Sequence, residues 1–224
     1  MSYTLLDAQT AIASEMDQSP TAPTDGGTDW NIRKNALNRA LIDFKQSREW
    51  ESLKVLHNGL ISTSTGNATY VLPSNFDKLD SKPLITWDGS TTDEFPAVDP
   101  SNNHLYLDTD KFVNVFTYPA GKALYIHSSL ISGASVQFTY YKSPQSLASA
   151  TDVVECPDPT YIVQRALYLI YKGREDGRFP EAKVEADKIL ARMMENETSL
   201  GVAYVDRSIS GQLERKGFVI GRDG

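Results

Sequence analysis

A single cysteine, Cys156, in 224 residues rules out a disulfide framework and any zinc site built from cysteine clusters. Phosphate-cradling loops are missing as well: there is no G-x-x-x-x-G-K-[ST], and no G-x-G-x-x-G follows a strand pattern. Histidine is scarce. His57, His104 and His127 share no H-E-x-x-H or comparable spacing with carboxylates, so they read as structural residues rather than metal ligands. No apolar run approaches membrane-spanning length, and the start, MSYTLLDAQTAIASEMDQ, lacks the basic residues and continuous apolar stretch of a signal peptide. A chain made and kept in the cytosol, with no membrane partner, is the expectation. Positive charge is also short. Lys and Arg number 22 against 29 Asp and Glu, and the net charge of −7 argues against a general nucleic-acid binder while leaving DNA free to pass without sticking.

What is present falls into blocks of different period. Thr4 to Asp17 reads as a helix with Thr4 as N-cap and Leu5, Ala8, Ile12 and Met16 on one face. An exposed loop rich in Pro, Gly and Asp follows from Ser19 to Asp29. A second helix spans 30–48, capped by Asp29 and closed by Trp50, with Trp30, Arg33, Leu37, Ala40, Leu41 and Phe44 at helical spacing. From 52 to about 150 the period drops to two. GLISTST, ATYVLP, PLITW, HLYLD, KFVNVFTY, ALYIHS and ASVQFTYYK are short β-branched and aromatic runs between turn residues, which predicts an inserted antiparallel β-sandwich or barrel. NNHLYLDTDKFVNVF reads as one hairpin turning near Asp108 to Lys111. ATYVLPSNFDKLD poses a question, because Pro73 must end a strand that Phe76 and Leu79 nevertheless continue as apolar chain.

Helix returns over 151–200. Asp158 can cap with Pro159 at the first helical position, and YIVQRALYLIYK, apolar on nearly every side, should be the most buried helix. GREDGRFP breaks it, and a fourth helix over 180–198 aligns Ala182, Ala186, Ile189, Leu190 and Met193, completing an αα-hairpin. The fold class is therefore α+β: a four-helix bundle, formed by two N-terminal helices and a C-terminal helical hairpin, with an inserted β domain. Residues 201–224 show glycines between apolar pairs and no helical stripe. They read either as an extended arm lying on another chain or as a frayed terminus.

Candidate chemistry is thin. Cys156 with a remote histidine could form a nucleophile pair, but nothing adjacent activates it, and a small buried hydrophobe is the better reading. DPSNNH, 99–104, alternates oxygen-bearing residues like a calcium loop without its central Gly or terminal Glu, and reads as a turn. Arg165, Lys172, Arg174 and Arg178 form a basic strip diluted by Glu175 and Asp176, which suits a solvated face or protein contact. The expectation is no enzyme, no cofactor and no metal. A different class of reading is a carbohydrate- or receptor-binding module, with Trp87, Tyr106 and Tyr118 in an open groove.

The order of elements carries a resemblance. A helix ending ALNRALIDFKQSREW, with an Arg-x-Trp step at Arg48 to Trp50, leads to a strand that exits through Leu72 and Pro73. A β insert, an acidic Pro step, a helical hairpin and a C-terminal arm follow. Over roughly residues 3–205 this resembles the head-to-tail connector, or adaptor, proteins of tailed bacteriophages, in particular those similar to tail tubular protein A. The middle of the Arg-x-Trp step, often Gly in that family, is here Glu49. The resemblance implies a structural virion protein of the phage neck, assembled in the host cytoplasm. It implies a homo-oligomeric ring, in the family a dodecamer, with portal protein above, a tail, nozzle or tail-terminator protein below, and double-stranded DNA passing through the lumen at genome ejection. It also implies that Leu-Pro turns the chain between β platform and helices. The arm would then be the portal- or neighbour-binding element, anchored by Tyr204, Ile209, Phe218, Val219 and Ile220 and clamped by Arg207, Arg215 and Lys216.

Overall fold

A computed structural model of the chain describes residues 2–60, 63–64, 67–80, 82–86, 91–105, 111–118, 121–127 and 135–215. The chain divides into a helical unit, Met1–Ser47 with Ser146–Gly224, and a β unit, Arg48–Gln145.

The helical unit begins with α1, Leu5–Asp17, entered through a reciprocal capping box: the Asp7 amide donates to Thr4 Oγ1 at 3.3 Å, and the Thr4 amide donates to the Asp7 carboxylate at 2.8 Å. Two further first-turn amides, of Leu5 and Leu6, donate to the carbonyls of Asp152 and Ala150, so the helix start leaves little unpaired. α2, Thr28–Ser47, starts two residues before the expected Trp30. Gly26, at φ 78°, accepts the Asn31 side-chain amide on its carbonyl, and the chain turns into the helix there. Asp29 therefore lies in the first turn rather than capping it. α3, Pro159–Gly173, starts as its sequence predicts, with the Thr160 amide donating to Asp158 at 3.1 Å. Its Tyr161, Ile162, Val163, Ala166, Leu167 and Ile170 are all buried, because α1, α2 and α4 each pack against it, while α4 makes no substantial contact with α1 or α2.

α4 runs Phe179–Arg215, well past the expected end at 198. Residues 201–215, read from sequence as an extended arm, are helical. No proline interrupts Pro180 to Arg215, and Gly201 and Gly211 each cost a helix only about 1 kcal/mol relative to Ala, too little to end it.

The β unit holds two antiparallel sheets. In chain order the strands are β1 Lys54–Leu60, β2 Thr63–Ser64, β3 Asn67–Val71, β4 Phe76–Leu79, β5 Leu84–Thr86, β6 Thr92–Glu94, β7 Phe112–Tyr118, β8 Gly121–His127 and β9 Ser135–Lys142. One sheet has the order β2-β3-β8-β7. The other has the order β1-β9-β5-β6, with β4 also paired to β9. β9 is its axis. One edge takes β1 along its whole length, Lys54 opposite Tyr141 through Leu60 opposite Ser135. The other edge is shared end to end, by β4 near Tyr140 to Lys142 and by β5 near Ser135 to Gln137.

This arrangement answers the Leu-Pro question. β3 belongs to the four-stranded sheet and β4 to the five-stranded one, so Leu72 to Phe76 carries the chain from one sheet to the other inside the β unit, and not toward the helices. Pro73 ends the ladder, the Phe76 amide closes the turn on the Pro73 carbonyl, and Asn75 receives Tyr140 Oη and the Ser143 amide. Leu72 and Phe76 point into the core that the two sheets share with Ile85, Phe95, Leu124 and Phe138. Phe138 is its centre, with the rings of His57, Tyr140, Phe76 and Tyr70 at 5.2, 5.8, 6.3 and 6.4 Å. Gly59 makes room for this cluster, since a Cβ there would lie 2.2 Å from the Tyr70 hydroxyl.

Of the hairpin expected over 102–116, residues 106–110, which include its turn, lie outside the described residues. Pro100–Leu105 is a 3-10 turn, held by Asp99, whose carboxylate accepts from the Ser101 amide and hydroxyl. β7 pairs instead with β8, and its other edge is covered by the 96–98 segment through Val113 N to Pro96 O and Val98 N to Val113 O.

Candidate functional site

The residues expected to bind a portal or neighbouring subunit fall into two groups. Tyr204, Arg207, Ile209 and Arg215 lie in the helical backbone of α4, with side chains outside the described residues. Lys216, Phe218, Val219 and Ile220 lie outside the described residues altogether. Of the groove aromatics, Trp87 and Tyr106 lie outside as well, and Tyr118 is placed only as the last residue of β7.

The basic strip is not a free cationic surface. Arg165 donates to Asp43 at 2.8 Å and lies 4.9 Å from the Tyr168 ring centre, a ring that Lys172 also approaches at 5.6 Å. Arg174 pairs with Asp29 at 3.8 Å. Arg178 grips Asp176 with two nitrogens and covers Tyr171. The hydrogen bonds from Arg178 hold the Asp176 carboxyl down at about 2. These side chains fasten the α3–α4 turn and α2 to α3, leaving little charge for phosphate.

Cys156 is equally committed. Burial pushes its thiol up to about 12, its Sγ donates to the Asp158 carbonyl at 3.3 Å, and the Met193 sulfur lies 4.0 Å away. A thiol held neutral by burial packs as a small hydrophobe. His57 is enclosed by rings, with Nε2 bonded to the Tyr70 hydroxyl. The side chains of His104 and His127 lie outside the described residues. Among the described residues no group of His, Cys, Asp and Glu is placed to hold a metal ion, and no described helix is long and apolar enough to cross a membrane.

What the described residues do present is shaped surface. The outer side of the five-stranded sheet carries an open concavity of about 530 Å³, floored by Asn58, Leu84, Thr86, Thr92, Ser135 and Gln137. The described residues of its lining are neutral. At the other end of the same sheet face, Tyr141 lies under two ammonium groups, Lys54 at 5.5 Å and Lys78 at 5.3 Å from the ring centre. Lys54 is held by Glu51 and Asp80, and Lys78 by Glu49, so the Arg48-to-Trp50 step, whose Trp50 is buried, leads into a charged corner. Sequence reading missed this corner because its partners lie far apart in the chain. β9 brings Lys54 and Lys78 to opposite sides of Tyr141.

Among the described residues the helical unit and the double-sheet unit present shaped surface, and no metal-holding group is assembled on either. The model of the SU10 adaptor protein family matches residues 3–209, and the chain belongs to that family. Membership makes it a phage adaptor, a structural component of the virion that assembles with portal and tail components, and implies a non-enzymatic role. No curated protein matches the chain.

Proposed function

We propose that the protein forms the adaptor ring of the phage neck: twelve copies seated beneath the portal, joined below to the tail, with the genome passing through their lumen. The observation that carries this reading is the extent of the family match, residues 3–209, which takes in both units and α4 almost to its end. In the ring the four helices act as one bundle standing beside its neighbours, and the β unit faces the next component. A closed ring of identical chains needs two different, complementary faces on each copy. The net charge of −7 suits a channel wall that repels phosphate and lets DNA slide. The distal part of α4 and the segment after it are the portal contact, through Tyr204, Arg207, Ile209, Arg215, Lys216, Phe218, Val219 and Ile220, since aromatic and Arg anchors dominate interfaces.

The test is to mix the full chain with portal rings and image the product by electron microscopy. An added layer of density is expected below the portal. Deleting 202–224 should remove it, and so should the gentler pair Arg207→Glu with Arg215→Glu, which leaves chain length intact. No layer with any portal would count against the neck assignment. A layer that survives both changes would move the portal contact away from the end of α4.

A further inference from the structure

We propose that the ring contact is made by the exposed face of α2 on one copy against the outer face of α4 on the next. The inference rests on the ring reading above and names the surfaces that close it. α2 buries Trp30, Arg33, Leu37, Ala40, Leu41 and Phe44 on one side. Its opposite side is the stripe Ile32, Asn35, Arg39, Ile42 and Gln46, at three- and four-residue spacing, with Ile32 at 42 % and Ile42 at 45 % exposure. α4 buries Ala182, Ala186, Ile189 and Met193, and turns Val184, Lys188, Ala191 and Glu195 outward, with Val184 53 % exposed. Both helices pack on α3 and not substantially on each other, so each copy carries two distinct free faces, as a head-to-tail contact requires.

Charge selects the pairing. Arg39 is the charged residue at the centre of the α2 stripe, and Asp43, its carboxylate partner among the described residues at 3.5 Å, is already taken by Arg165 at 2.7 Å. The outer face of α4 is acidic on balance: Glu181, Glu185, Asp187 and Glu195 outnumber Lys183, Lys188 and Arg192, and of these cations Lys188 is matched by Glu185 and Arg192 by Asp158 at 2.6 Å. A basic centre between two isoleucines thus meets an acidic face holding Val184 and Ala191. The lengths agree too: the 20 residues of α2 span about 30 Å, and the described first turns of α4, 179–197, about 28 Å. Two copies of the same face would instead set Arg39 against Arg39, or acidic α4 against itself.

Disulfide trapping in assembled virions tests this. In phage whose adaptor carries Cys156→Ser, Ile42→Cys and Ala191→Cys, mild oxidation should link neighbouring copies into a ladder on a non-reducing gel. Virions carrying Ile42→Cys alone or Ala191→Cys alone should give no linked copies. A second measurement uses Ile32→Asp and Val184→Asp chains, each of which should lose ring formation alone. Mixed, they should give two-copy complexes by native mass spectrometry, because one intact interface remains. Virions that hold many adaptor copies yet give no ladder with the double cysteine, or give linkage with a single one, overturn this contact and leave the ring standing. Virions without a multi-copy adaptor layer overturn the ring and the contact together.

Discussion

The two units are held together differently, although both are cut from one chain of ordinary composition. In the β unit the charges lie outside: Lys54, Lys78, Lys82 and Lys111 pair with carboxylates at the surface, and the centre is a stack of rings around Phe138. In the helical unit charge reaches inward. Arg33, whose side chain is 5 % exposed, pairs with Asp17, and Arg165 ties α3 to Asp43 of α2. Lysine, a strongly hydrated point charge, is suited to decorating a sheet. Arginine, planar and weakly hydrated, can be half-buried between helices and still meet a carboxylate with two donors. The difference shows where directional bonding is used. Sheets fix their own register through the backbone ladder, whereas helices packed by apolar stripes can slide, and an Arg–carboxylate contact across the stripe fixes their offset.

The sharpest way to break the comparison is Phe138→Ala. It empties the centre of the ring cluster and should cost about 3–5 kcal/mol, read as a lower denaturant midpoint with loss of the near-ultraviolet aromatic signal. A cost below about 1 kcal/mol would mean that the rings are not what holds the β unit. In the helical unit the matching change is Asp43→Ala, which leaves the half-buried Arg165 guanidinium without its carboxylate and should cost about 2 kcal/mol. Asp43→Asn should recover part of it by keeping an acceptor. If the β unit rested on charge as well, removing Glu49 from Lys78 would cost as much. Exposed pairs of that kind contribute about 0–1 kcal/mol.

What could be read from the sequence follows the same division. The starts of α1 and α3 were legible because their chemistry is local: Thr4 with Asp7, and Asp158 with Pro159, each act within three residues, whereas α2 begins before the expected Asp29 cap. The strands KFVNVFTY, ALYIHS and ASVQFTYYK were legible from their period, but their partners were not. Whether β4 or β5 takes an edge of β9 depends on residues some sixty positions apart, about which no local rule speaks. Of HLYLD only His104 and Leu105 are described, and they end a helical turn, started by Asp99 and Pro100, that local alternation does not reveal. The arm beginning at 201 failed for the opposite reason, since apolar pairs and glycines were weighed above the absence of any proline to stop α4. The surfaces were the least legible part: Arg39 and Val184 stand out only once burial shows which residues their helices leave uncovered.

The smallest effect is the most specific to the helical unit, and it turns on pH. Burial of Asp158 works against its ionisation, yet hydrogen bonds from Thr160 and Arg192 outweigh it and hold the carboxyl below its ordinary value. A carboxyl lowered on folding contributes stability that is present above its unfolded pKa, about 3.9, and lost as pH falls through the folded value. Asp158→Asn keeps an N-cap acceptor for Thr160 but removes the charge that Arg192 meets at 2.6 Å. At neutral pH the variant should therefore be less stable by about 0.5–1 kcal/mol, a modest figure because Arg192 is largely exposed. Thermal melts of both proteins over a pH series should converge in acid, where the wild-type carboxyl is itself protonated. Melts that stay equally far apart down into acid would mean that the Asp158 charge is not what ties the start of α3 to Arg192 of α4.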